Sequence, residues 1–155
     1  MTMPPPQGGP NTGAMLDSGR LWAGGLATAV VAALIAIVGI LLARGVFDVP
    51  VLAPEGEGVW GDADTATYTV CSAFAAVVAT GLLHLLLVTA PGPLRFFGWI
   101  LALATVAAAV APFAAAGSTS SKVATALINV ALGLAIWMLL TGAARAATRG
   151  RRPGV

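Results

Sequence analysis

At 155 residues the chain has the size of one domain, yet its composition excludes an ordinary soluble one. Apolar residues make up 58% and charged residues 9%, against roughly 45–50% and about 25% in soluble domains, so lipid is the expected solvent. The net charge is +2, and the single cysteine (Cys71) and single histidine (His84) leave no disulfide framework, no multi-cysteine metal site and no histidine pair for zinc.

Residues 1–19, "MTMPPPQGGPNTGAMLDSG", are rich in proline and glycine with little to bury, and read as a disordered tail. They do not read as a signal peptide, because the apolar run that follows is too long and no basic segment stands at the start. That run, Leu21 to Ala43, holds 23 residues without a charge between Arg20 and Arg44. As a helix it would be about 34 Å long, enough for a hydrocarbon core of about 30 Å. Gly25, Thr28, Ala29, Ala32, Ala36 and Gly39 recur along it at helical spacing. Small residues on one stripe are what helix contact in lipid requires, since close approach and interhelical hydrogen bonds replace the hydrophobic drive.

The connection 45–64 contains "VLAPEGEGVWGDAD", with four of the six carboxylates: Glu55, Glu57, Asp62 and Asp64. Asp62 and Asp64 have the D-x-D spacing of a calcium loop, but Ala66 follows where a third ligand should stand and no acid comes later. The stretch therefore reads as a solvated outer loop without a metal. Val49, Val51, Leu52 and Trp60 are expected to pack on helix ends or rest at the membrane interface.

A second span is expected over about 67–90, a third over 96–116 and a fourth over 122–144, all filled with alanine, leucine and valine. Such runs make helices rather than barrel strands, which would alternate polar and apolar. "APGP" at Ala90 to Pro93 predicts a tight turn, and "GSTSSK" at Gly117 to Lys122 supplies serine N-caps. Residues 145–155 form a basic tail. Four spans place both termini on one side, with Arg20, Arg95, Arg145, Arg149, Arg151 and Arg152, while Arg44 and Lys122 stand opposite. The positive-inside rule then makes both termini cytoplasmic, in a multi-pass plasma-membrane protein.

The chain resembles an uncharacterised group of small four-helix membrane proteins from actinobacteria, a domain of unknown function. The resemblance runs from about Arg20 to Ala144, on "RLWAGG", "PVLAPEGEGVWGDADTATY", "TGLLHLLL" with "PLRFFGWI", and "SKVATALIN". It implies an actinobacterial plasma-membrane protein with no assigned activity, and it carries no catalytic residues over.

Five polar residues inside the spans are the candidates for function: His84, Thr28, Asn129, Thr80 and Thr105. An intramembrane ionisable residue marks a functional site by default. A neutral imidazole, however, is satisfied by one hydroxyl or carbonyl, and no span carries a carboxylate for a proton relay. His84 is therefore expected to pack against span one, with Thr28 as hydrogen-bond partner. Asn129 shares a helical face with Lys122, Thr125, Ala126 and Gly133, which reads as a packing seam. The arginines after span four anchor topology and attract lipid headgroups, not nucleic acid. P-loop, H-E-x-x-H, G-x-S-x-G and C-x-x-C-H motifs are all missing.

The reading is an all-α polytopic membrane protein, a four-helix bundle without cofactor or metal, non-enzymatic and structural or accessory. Its partners are the lipid bilayer and either a second copy or another membrane protein. The competing reading is a small-solute or proton-linked transporter or channel subunit using His84 and Asn129.

Overall fold

The computed structural model describes residues 17–48, 50–55, 59–62 and 64–149, with backbone only at 53–55, 59–62 and 149. Residues 1–16 and 150–155, which hold most of the expected tails, lie outside the described residues. Four helices result: α1 (Ser18–Gly45), α2 (Thr65–Thr89), α3 (Pro93–Val110) and α4 (Thr119–Arg149). All four are long and apolar enough to cross a membrane, and the protein is an all-α four-helix bundle.

Three of the four helices begin on a side-chain cap. Asp17 Oδ1 accepts from Arg20 N at 3.1 Å and opens α1. Asp64 Oδ2 accepts from Thr67 N at 3.3 Å and from the Thr67 hydroxyl at 3.1 Å, opening α2. Ser118 Oγ accepts from Ser121 N at 3.2 Å and opens α4, so the serine cap expected there is present. Between α2 and α3, Gly92 takes φ +75° and Pro93 stands at the first helical position. Glycine removes the Cβ cost of the left-handed conformation, and proline lacks an N–H the first turn could not use.

Helix α3 ends sooner than a span over 96–116 would. After Val110 the chain tightens into a 3-10 turn, Ala111–Ala114, containing Pro112. Proline cannot donate the next helical hydrogen bond and its ring opposes the preceding turn. At the other extreme, α4 runs on through Arg145 to Arg149, so the first part of the basic tail is helical.

The helices form a ring in which α1 packs on α2 and α4, and α3 packs on α4 and α2. The buried face of α1 comprises Leu21, Gly25, Thr28, Ala29, Ala32, Ala36, Ile40 and Ala43. Along α4 the buried ridge is Ser121, Thr125, Ile128, Leu132, Ile136, Leu140, Ala144 and Ala147. Only Phe97 is buried on α3.

The long connection is not a simple loop. Strands β1 (Leu52–Glu55) and β2 (Val59–Asp62) pair antiparallel, with Leu52 opposite Asp62 and Glu55 opposite Val59. Val51 and Leu52 are buried, and Leu52 N donates to Thr125 Oγ1 of α4 at 2.9 Å. The hairpin is thus pinned over one end of the bundle, the end opposite the one at which α1 begins and α4 finishes.

Candidate functional site

Four glycines and three hydroxyls define how closely the helices approach. On α1, a Cβ built on Gly24 would stand 2.5 Å from that of Ala143, and one on Gly39 would stand 2.9 Å from Ile128 Cγ1. A Cβ on Gly25 would collide with Thr80 of α2, and one on Gly133 of α4 with Thr105 of α3. The threonines fit these notches because their hydroxyls turn back onto their own helices. Thr80 donates to Ala76 O at 2.8 Å, Thr105 to Leu101 O at 2.7 Å and Thr28 to Gly24 O at 2.8 Å. Each hydroxyl is satisfied within its own helix, and the Thr80 and Thr105 side chains, hydroxyl and methyl together, fill the gaps left by Gly25 and Gly133.

Asn129 is the strongest polar link between helices. Its Oδ1 accepts from the Tyr68 hydroxyl of α2 at 2.5 Å, and its Nδ2 donates to Ala108 O of α3 at 2.7 Å. One side chain therefore ties α2, α3 and α4. In hydrocarbon an unsatisfied amide costs several kcal/mol, and here both ends of the amide are used. The face expected around Asn129 is only partly the buried one: Thr125 lies on the α4 ridge, whereas Lys122, Ala126, Asn129 and Gly133 are half-buried. Asn129 and Gly133 lie on the side turned to α3, where Asn129 bonds Ala108 O and Gly133 meets Thr105, whereas Ile128 on the ridge meets Gly39 of α1.

His84 is half-buried, and it does lean toward α1, but its neighbour there is Trp22, with ring centroids 6.4 Å apart. The expected bond to Thr28 is not formed. Thr28 donates to Gly24 O, and His84 Nδ1 is buried with no hydrogen-bond partner among the described residues. The register explains this. Gly25 meets Thr80, so in the antiparallel pair His84, four residues on, stands level with about Leu21. Thr28 then lies about seven residues, roughly 10 Å, away along the axis. The apolar run of α2 is not the whole helix, which begins at Thr65, so matching the centres of the two apolar runs misplaces the depth.

The five candidates therefore do not converge. Thr80 sits with Gly25 and His84 with Trp22, both on the α1–α2 contact. Thr105 and Asn129 hold the α3–α4 contact instead. Tyr68 escaped the sequence reading although it is the only tyrosine and stands in the first turn of a span, a place where a hydroxyl seeks a partner. In the acidic stretch, Asp64 is occupied as a cap: the Thr67 hydroxyl and N–H hold its carboxyl below its ordinary value. The side chains of Glu55, Glu57 and Asp62 lie outside the described residues.

Residues 16–146 match the model of DUF6069, a family of unknown function. The chain belongs to this family. The match takes in all four spans, the hairpin and the Tyr68–Asn129–Ala108 link. No curated protein and no solved structure matches the chain.

Proposed function

We propose that this DUF6069 protein is a non-enzymatic structural or accessory component of the plasma membrane, engaging a second copy or another membrane protein. The observation that carries the reading is the use made of the polar side chains in the spans. Thr28, Thr80, Thr105, Tyr68 and Asn129 all have hydrogen-bond partners inside the bundle. Groups that conduct a solute or a proton must instead exchange partners along a wet path. The resemblance to an actinobacterial group supports the plasma membrane as the location. The arginine distribution supports cytoplasmic termini. Orientation is tested in a Cys71→Ser background: Glu57→Cys should react with an impermeant maleimide on intact cells and Gly150→Cys should not, and reversed labelling overturns it.

His84 favours the transporter reading, because its Nδ1 is buried without a partner among the described residues. The two readings separate in vesicles holding a pH-sensitive dye. Under an imposed pH gradient the protein should leak no faster than protein-free vesicles. A faster flux that disappears in His84→Leu would replace the structural reading with the transporter one.

A further inference from the structure

Between α3 and α4 the bundle surface carries a groove of about 650 Å³. Its floor is lowered by Gly98, Ala102, Ala109 and Gly133, and its only charged member is Arg95, in the first turn of α3. Trp137 of α4 joins the wall one turn further in, its Nε1 within 3.6 Å of where a Gly98 Cβ would stand. Neither the Arg95 guanidinium nor the Trp137 N–H has a partner among the described residues. The start of α3 adds to the same field: it has no side-chain cap and no acid in its first turn, so its N-terminal dipole is open to an anion. From Arg95 to Val110 the groove runs about 22 Å along α3, longer than one leaflet's half of a hydrocarbon core of about 30 Å.

We propose that this groove seats one anionic phospholipid, with its phosphate at Arg95, its glycerol ester region at the Trp137 N–H and an acyl chain along Ala102 and Ala109. Charge complementarity selects the occupant. A second groove of about 730 Å³, between α1 and α4, is lined by apolar residues and Ser120 without any charged group, and nothing in it distinguishes one headgroup from another. In the α3–α4 groove the two open donors stand within about one helical turn of each other, at the membrane-surface end, with apolar walls beyond. A zwitterionic headgroup would bring its own cation to Arg95 and so lose the advantage.

The test is native mass spectrometry of the full chain released from membranes of equal phosphatidylglycerol and phosphatidylcholine. The expected result is preferential retention of phosphatidylglycerol. Arg95→Gln should cut that preference about five-fold, the effect of one basic side chain near the surface. Trp137→Phe should cut it about three-fold, the scale of one hydrogen bond in lipid. Ala102→Phe, on an exposed position that only fills the groove, should abolish retention with the thermal midpoint unchanged. Arg145→Gln, a charge loss at the same end of the bundle but outside the groove, should leave the preference intact. Equal retention of the two lipids by the parent chain would overturn the proposal. So would equal losses from Arg95→Gln and Arg145→Gln, which would reduce it to bulk charge, or retention undiminished in Ala102→Phe.

Discussion

Helices α1 and α3 are both apolar around their circumference, yet α1 buries eight residues along 28 and α3 buries Phe97 alone among 18. Phe96, Trp99, Ile100, Leu103 and Val106 of α3 all face outward. The difference cannot come from hydrophobicity, because lipid tails solvate leucine as well as a protein interior does. It follows from what lets backbones meet. Helix α1 offers Gly24, Gly25 and Gly39 on the sides turned to its neighbours, and those neighbours press directly onto its backbone. Helix α3 is held instead by point contacts, with Thr105 in the notch of Gly133 and Ala108 O bound by Asn129. Burial in this bundle follows where glycine notches and hydrogen bonds bring a neighbouring helix close, not apolar area.

The largest expected effect breaks the α1 side. Gly25→Leu drives a branched side chain into Thr80, and overpacking of this kind costs about 3 kcal/mol. A thermal melt in mild detergent should show the folded bundle lost or strongly destabilised, whereas Ala104→Leu, on the exposed face of α3, should melt like the parent. Next comes the tie to α3. Asn129→Leu removes two interhelical hydrogen bonds, and membrane pairs average about 0.6 kcal/mol each with a maximum of about 1.7, so a loss of about 1–2 kcal/mol is expected. Tyr68→Phe should add little on top of it, since the two residues share one bond.

Two more local effects concern the hairpin end. Thr125→Val leaves the buried Leu52 N–H without its acceptor, at a cost of about 1–3 kcal/mol shared with local undocking. Hydrogen exchange at Leu52 should accelerate while the rest of the bundle keeps its protection. Asp64 gives the smallest effect and a pH signature. Its carboxyl is held below its ordinary value by Thr67, so its contribution is fully present above the unfolded value and is lost as pH falls through the lowered one. Asp64→Asn can still cap and should match the parent at neutral pH while losing that acid limb. Melts between neutral and acidic pH check the sign.

Much of the α1 side was legible in the sequence because its signal is compositional. The stripe Gly25, Thr28, Ala29, Ala32, Ala36 is the buried face, with Gly39 at its margin against Ile128. The serine cap of α4 and the turn before α3 were legible because serine, glycine and proline act locally, whereas Asp17 and Asp64 were not read as caps. What failed was relative depth. Nothing in either sequence run fixes how far α1 slides along α2, and that offset moved His84 from Thr28 to Trp22. The hairpin was missed although it had a signal, the glycine-rich "GEG" between two short segments. Its acids drew attention to solvation and metals while Leu52, the residue that docks it, looked like an ordinary interfacial side chain. Pro112 was likewise visible, and its power to end α3 was outweighed by the alanine run around it.

The most direct measurement is a two-by-two thermal comparison of Gly25→Ala and Thr80→Gly. If α1 and α2 meet backbone to side chain at this notch, Gly25→Ala should lower the melting midpoint in the parent and cost far less when Thr80→Gly has emptied the opposing space. An equal cost of Gly25→Ala in both backgrounds would mean that the notch does not set the approach of the helices, and it would contradict the account.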